Sequence, residues 1–184
     1  MQILVRFLFA ILLSMTTIAH AEEAKEAIKE EKNPMELSTN AFLDKGMFPT
    51  LYTCDGKDIS PQLSWTGIPA NTKTLAIIMQ DPDAPTDKFY HWVVYNVPST
   101  VKELPQGTNA PSGALIGKNS FDKLSYNGPC PPKGSSHTYT ITLYALDSRL
   151  KLPEGAKGAD VTKAMQSHIL GKTTLTTVYS RWIE

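Results

Sequence analysis

The chain has 184 residues, a formal net charge of zero at pH 7 and 41% hydrophobic residues. This length and composition are typical of one globular domain with a sizeable core. The chain has no basic field that would attract nucleic acid, and no polybasic cluster marks a membrane-surface patch. We therefore expect neither a nucleic-acid partner nor stable insertion into a membrane.

The first 21 residues have the pattern of a secretory signal peptide. Arg6 supplies a positive charge near the start, residues 7–15 form a short apolar stretch, and residues 19–21 (Ala-His-Ala) match a small-x-small cleavage site. The apolar stretch is shorter than the roughly 18 residues that a membrane anchor needs. We therefore expect cleavage after Ala21 and a periplasmic or secreted protein.

The remaining chain divides into a linker and one domain. Residues 22–34 are rich in Glu, Lys and Ala, and because they offer almost no apolar anchor we interpret them as a charged, flexible linker. From residue 35 to residue 184, short apolar runs alternate with clusters of Pro, Gly, Asn and Asp, as is typical of β-structure. Strands are predicted, in chain order, at residues 35–42, 62–65, 74–80, 92–97, 138–146 and 173–179.

One helix is predicted at residues 161–170, with Asp160 as its N-cap and Gly171 at its end. Apolar residues recur there at helical spacing, beginning at Val161. His168 falls on or beside this apolar face, which favours a packing role with one satisfied ring nitrogen over a functional one. Many short strands followed by one late helix indicate an all-β sandwich with one or two short peripheral helices.

Cys54 and Cys130 are the two cysteines of the chain. An even number of cysteines in an exported protein favours a disulfide, and two reduced, buried thiols are the alternative. The two positions lie far apart in the sequence, so a bond between them would close a long loop. Such a bond would contribute on the order of 4 kcal/mol in the chain-entropy model.

Two carboxylates and an imidazole lie on a short, stiff connection between two predicted core strands. They are Asp81, Asp83 and His91, and Pro82 and Pro85 fix the backbone between them. A rigid loop on a rigid scaffold often holds binding groups. Taken alone, however, the Asp-Pro-Asp sequence is better explained by turn chemistry, in which the carboxylates bond nearby backbone amides.

A second unusual loop precedes His137. In it, Gly128 allows the backbone to approach a ligand closely, and Pro131 and Pro132 stiffen the chain. His137 and Tyr139 are two positions apart on a predicted strand, so both side chains leave the same face. If the two loops meet, they form a pocket of imidazoles, carboxylates, a phenol and backbone amides that suits a small anion such as a phosphate monoester head group.

Four motifs also carry a resemblance that covers about residues 35–181. They are Asp81-Pro-Asp-Ala-Pro85, His91-Trp92, Ser60-Pro61 with Trp65, and Gly128-Pro-Cys-Pro-Pro-Lys-Gly134 with His137-x-Tyr139. Together these motifs resemble the phosphatidylethanolamine-binding protein family, and most closely its bacterial Raf-kinase-inhibitor-like branch. The resemblance implies a Greek-key β-sandwich whose anion pocket accepts phosphate-like groups, phospholipid head groups included.

The resemblance also assigns roles to individual residues. By motif match, the residues that would line the pocket are Asp81, His91, Gly128, His137 and Tyr139. Those that would shape it are Asp83, Trp92, Pro131 and Pro132. Animal members carry a C-terminal helix beside the pocket, but this chain ends shortly after Arg181, so a more open pocket is expected and lipid specificity carries over less well.

Several functions are compatible with this set of residues. A non-enzymatic anion-binding protein without a cofactor is favoured, because no nucleophile motif accompanies the His/Asp/Tyr cluster. A hydrolase that uses His and Asp as acid and base is one alternative. A zinc site formed by Asp81, Asp83, His91 and His137 is another, although the histidines lack a compact metal-binding spacing. The last is an extracytoplasmic inhibitor, for example of a serine protease, or a modulator of another protein partner.

Overall fold

The computed structural model describes residues 34–86 and 88–182. The predicted signal peptide at residues 1–21 lies outside this part of the chain, and so does the predicted linker apart from Pro34. Among the described residues, no helix is both long enough and apolar enough to cross a bilayer.

Eight strands in the described part of the chain form two antiparallel sheets. The smaller sheet has the order β1-β2-β5, with β1 at Glu36–Ser38, β2 at Leu63–Thr66 and β5 at Glu103–Leu104. The larger sheet has the order β6-β4-β3-β7-β8, and these strands are Leu115–Ile116, Phe89–Pro98, Thr74–Asp81, Ser136–Leu146 and Ile169–Ser180. The predicted all-β class and β-sandwich are thereby confirmed.

The single α-helix in this part of the chain, α1, spans Gly158–Met165, so its predicted bounds are wrong. The helix begins after Lys157, and Asp160 lies within the first turn instead of capping it. A 3₁₀ turn, Gln166–His168, follows, and β8 begins directly at Ile169. Pairing with β7 extends to the start of β8 and outweighs the weak local preference for helix there.

The central strands of the larger sheet are covered on both faces. On one face, Ile77 and Met79 of β3 pack in a core with Trp65 of the smaller sheet. On the other face, Ile78 of β3 packs with Val161 of α1. Because both faces are buried, β3 has a nearly continuous apolar sequence without alternation. The sequence of β7 alternates between apolar and polar residues, which predicts one buried face. Four of its residues accordingly enter the inter-sheet core: Tyr139, Ile141, Leu143 and Ala145.

Candidate functional site

A cavity of about 160 Å³ lies where the two loops meet at one end of the inter-sheet core. Its wall comes from the end of β3 and the loop after it, from the second loop, and from four further side chains. The first of these sources contributes Asp81, Ala84, Pro85 and Thr86. The second loop contributes Cys130, Pro131 and Pro132, and the four further residues are Phe89, His91, Phe121 and His137. Five of the nine ligand-binding residues chosen from the sequence therefore line one cavity: Asp81, His91, Pro131, Pro132 and His137.

Asp81 and His91 lie in paired strands, whereas the sequence placed them in the connecting loop. β3 ends at Asp81, which pairs with Phe89 at the start of β4. Farther along, the register of β3 and β4 shifts, so that His91 has no partner residue on β3. Such a bulge re-aims side chains next to a site. His91 and Trp92 accordingly both face the inter-sheet core, although neighbours on a regular strand face opposite ways.

Asp81 and His137 form the most closely coupled pair in the cavity. Nδ1 of His137 donates to Oδ2 of Asp81 at 2.8 Å, and Oδ1 of Asp81 accepts the backbone N–H of Asp83 at 2.8 Å. Asp81 is only 4% exposed. The carboxylate therefore fixes the orientation of the imidazole, and Nε2 is the ring nitrogen of His137 left for a ligand.

Asp83 lies outside the cavity. Its Oδ2 accepts the backbone N–H of Thr138 at 2.6 Å, and this hydrogen bond is the main reason why the pKa of the Asp83 carboxyl lies below its ordinary value. The side chain thus ties the first loop to β7. The turn chemistry that the sequence offered holds for Asp81, which accepts the nearby N–H of Asp83, but not for Asp83, whose partner Thr138 lies 55 positions away.

His91 is almost completely buried, and its protonation state follows from its surroundings. Nδ1 lies 2.7 Å from the backbone carbonyl oxygen of Asn127, which only accepts, so Nδ1 carries the proton. Burial lowers the pKa of His91, and the Asn127 carbonyl and the charge of Asp81 oppose this shift only in part. In the neutral ring Nε2 is therefore a hydrogen-bond acceptor.

Tyr139 lies behind the two imidazoles and is fully buried. Its ring centroid is 5.3 Å from that of His91 and 6.4 Å from that of His137, which confirms that His137 and Tyr139 share a face of β7. Burial, reinforced by the charge of Asp81, raises the pKa of the phenol. Within the described part of the chain, the hydroxyl has no hydrogen-bond partner.

Gly128 and Trp92 support the site from behind and do not line the cavity. The N–H of Gly128 donates to Oδ1 of Asp58 at 2.6 Å, and a Cβ on Gly128 would lie 2.0 Å from the carbonyl oxygen of Tyr52. Glycine is thus required at this position because the backbone of Tyr52 lies so close. The sequence had instead attributed the glycine to the close approach of a ligand. Trp92 is fully buried and donates its indole N–H to the Asn109 carbonyl oxygen at 2.8 Å.

The second loop is held by two braces. Cys54 and Cys130 are joined by a disulfide, and Cys130 lines the cavity. Beside the disulfide, the Arg181 guanidinium donates to both oxygens of Asp55, at 2.8 and 2.9 Å, and to the carbonyl oxygen of Pro131 at 3.2 Å. These bonds from Arg181 hold the pKa of Asp55 below its ordinary value. The sequence patterns predicted no role for Arg181.

Two phenylalanines at the cavity were not anticipated from the sequence. The rings of Phe89, His91 and Phe121 lie close together, with centroid distances of 5.1 to 5.5 Å. Phe121 remains 39% exposed at this edge of the cavity. It lies in an irregular segment without periodicity, so its only sequence signal was an isolated aromatic side chain among polar residues.

The wall of the cavity is mostly apolar, and Asp81, Thr86, His91 and His137 supply its polar side chains. Among the described residues that line it, Asp81 is the only Asp, Glu, Lys or Arg. No group of three or more His, Cys, Asp and Glu side chains in residues 34–86 and 88–182 has a geometry that could hold a metal ion. The zinc alternative therefore gains no support from the arrangement of these side chains.

The fold and motifs match those of known proteins. A family model described as "Phosphatidylethanolamine-binding protein" matches residues 38–180. A UPF0098 protein of Methanothermobacter thermautotrophicus is 48% identical over 151 residues, which are 80% of this chain and 99% of that protein. YbhB of Escherichia coli is 41% identical over 79% of this chain and all of its own length.

Two solved structures share the fold. Escherichia coli YbcL has a TM-score of 0.76 and 32% identity, over 82% of this chain and 99% of its own. The phosphatidylethanolamine-binding protein homolog CT736 from Chlamydia trachomatis has a TM-score of 0.74 and 34% identity, over 81% of this chain and 99% of its own. The chain therefore belongs to the phosphatidylethanolamine-binding protein family.

The buried His91 gives the folded protein a specific pH dependence. Its folded-state pKa lies below the ordinary value of 6.5, so the unfolded chain binds the proton more tightly. The free energy of unfolding should therefore fall as the pH drops from 6.5 towards the folded-state pKa. Urea unfolding between pH 7.5 and 5 measures this slope. It should be smaller in His91→Gln than in the wild-type protein, and equal slopes in the two proteins would refute the assignment.

Proposed function

We propose that this protein binds a small phosphate-like anion, either free or as the head group of a phospholipid. The observation that carries the proposal is the convergence of Asp81, His91 and His137, from three strands, on one small cavity. A volume of about 160 Å³ suits a phosphate-sized group and excludes a whole lipid. No hydroxyl or thiol nucleophile activated by these histidines is found among the described residues, which favours binding over catalysis.

The polar groups of the cavity have complementary tasks in this proposal. Asp81 orients His137, so that Nε2 of His137 can contact a ligand oxygen when the ring is protonated. The hydroxyl of Tyr139 lies behind the two imidazoles and outside the lining of the cavity. The rings of Phe89 and Phe121 flank the polar groups and limit the access of water.

Calorimetric titration with O-phosphoethanolamine and with inorganic phosphate tests this function. Binding should be weakened at least about tenfold in His137→Ala, since removing a hydrogen bond to a charged group costs about 1.5–3 kcal/mol. The control His168→Ala changes a half-exposed histidine that bonds Asp147 at 2.8 Å and does not line the cavity. Absence of binding by both ligands, or equal affinities of the two variants, would contradict the proposal.

We further propose that the protein acts outside the cytoplasm. The support is the leader pattern of residues 1–21, in which a positive start, an apolar stretch and Ala-His-Ala occur in order. Intact mass measurement of the protein expressed in a bacterial host should give a mature chain that begins at Glu22. A chain that retains its leader and remains in the cytoplasmic fraction would contradict export.

Replacing Tyr139 by Phe should separate stability from binding. The hydroxyl is buried without a partner, so its removal relieves a desolvation cost and should raise the free energy of unfolding by about 1 kcal/mol. The hydroxyl does not line the cavity, so affinity for O-phosphoethanolamine should stay within about twofold of the wild-type value. Urea unfolding and calorimetric titration of the same preparation check both effects. A loss of stability would show that the hydroxyl is already satisfied in the free protein.

A further inference from the structure

The cavity is poorly supplied with hydrogen-bond donors for a fully ionised anion. Both oxygens of Asp81 already accept hydrogen bonds, and among the described lining residues there is no Lys or Arg. The nearest described guanidinium interaction, that of Arg181, is directed at Asp55 and at the Pro131 carbonyl oxygen. An anion with acceptors only would therefore face a carboxylate with little positive charge to offset it.

His91 adds an acceptor to this cavity. Its Nδ1–H is used by the Asn127 carbonyl oxygen, so Nε2 is the remaining polar atom of the ring. The ionisable groups around the ring are Asp81 from β3, Asp58 from the segment before β2, and His137 and Tyr139 from β7. Both carboxylates favour an imidazolium, but burial dominates and lowers the pKa of His91, so that Nε2 keeps its lone pair at neutral pH.

These donors and acceptors determine which protonation state of a phosphoryl group fits the cavity, provided that the proposed anion-binding function holds. We propose that the cavity binds a phosphoryl group in its protonated, monoanionic form, with the P–OH hydrogen donated to Nε2 of His91, and that it thereby discriminates against sulfate. The ligand class is a phosphate monoester or inorganic phosphate.

The choice between phosphate and sulfate follows from simple acid–base chemistry. A phosphate monoester has a second pKa of about 6, so a substantial fraction carries one proton near neutral pH. A sulfate monoester of the same shape has already lost its only proton throughout this range. Facing Nε2 of His91, it would bring two acceptors together and leave a buried acceptor without a donor, which is costly.

The test is a calorimetric comparison of O-phosphoethanolamine with ethanolamine O-sulfate, which has the same carbon chain and ammonium group. At pH 6 the phosphate should bind roughly 10- to 100-fold more tightly, the range expected for one buried acceptor left unpaired. Between pH 6.5 and 8 the phosphate affinity should fall, towards about tenfold per pH unit, because the monoanion is depleted. His91→Gln offers an amide that both donates and accepts, and should bring the two affinities close together.

Each outcome of this comparison has a distinct meaning. Equal affinities of the wild-type protein for phosphate and sulfate would overturn the proposal while leaving anion binding intact, because the proton would then come from the protein. Phosphate affinity that rises with pH would overturn it in the same way. If neither compound binds at any pH, the proposed function itself fails. The wild-type comparison decides the matter even if His91→Gln does not fold.

Discussion

Replacing both cysteines by alanine is expected to lower the free energy of unfolding by about 4 kcal/mol. The reason is that the disulfide closes a loop between residues 76 positions apart in the sequence. The bond acts mainly on the unfolded chain, whose conformational freedom it restricts. The Cys54→Ala/Cys130→Ala variant leaves no unpaired thiol, so urea unfolding of the purified protein measures the loss directly. A loss of this size is a large share of the stability of a typical domain.

The same variant tests whether the disulfide supports the cavity. Cys130 lines the cavity between Pro129 and Pro131. In addition to the disulfide, the backbone N–H of Cys54 donates to the carbonyl oxygen of Pro129 at 3.2 Å. Affinity for O-phosphoethanolamine should therefore fall along with stability. Wild-type protein treated with reductant is the matched control and should behave like the variant. A stability loss below about 1 kcal/mol would mean that the chain-entropy account does not apply here.

Asp81→Ala should produce the second large effect, a loss of about 3 kcal/mol in the free energy of unfolding. The substitution leaves two donors without their acceptor, Nδ1–H of His137 and the backbone N–H of Asp83. The exposed fractions of the two paired side chains are 13% for His137 and 6% for Asp81, so water replaces the lost bonds poorly. Ligand affinity should fall as well, because His137 loses the group that orients it.

The chain offers a matched control for this substitution. Asp147 and His168 form a pair with the same 2.8 Å distance, but their side chains are 47% and 39% exposed. Asp147→Ala should therefore cost at most about 1 kcal/mol and leave ligand binding unchanged. Urea unfolding of the two alanine variants side by side checks the difference. Equal losses would show that burial does not decide the strength of the Asp81–His137 pair.

The sequence was most informative where a pattern repeats or a motif is compact. Alternation identified β7, and the apolar run identified β3, because in each case burial of whole faces dictates the residue types. The resemblance of the Asp81 and His137 motifs to a known family predicted that the two loops meet. The hydrogen bond between Asp81 and His137 agrees with this prediction. Both successes depend on features that a few neighbouring residues encode.

The features that the sequence missed depend on partners far away in the chain. Gly128 was expected to approach a ligand, but its close contact is with Tyr52, which no local pattern reveals. The end of the helix was misplaced because strand pairing at Ile169 overrides local propensity. The bulge that turns His91 towards the inter-sheet core depends on the register of β3 against β4, and register is a property of the assembled sheet.

The most direct test of the central claim is a titration of the protein with O-phosphoethanolamine, observed through the side-chain nitrogen resonances of its histidines. His91 and His137 line the cavity, whereas His168 pairs with Asp147 and does not. Saturable shifts of the His91 and His137 ring nitrogens, with His168 unmoved, are the predicted result. Resonances of His91 and His137 that do not respond, or that move no more than those of His168, would contradict the assignment of this cavity as the binding site.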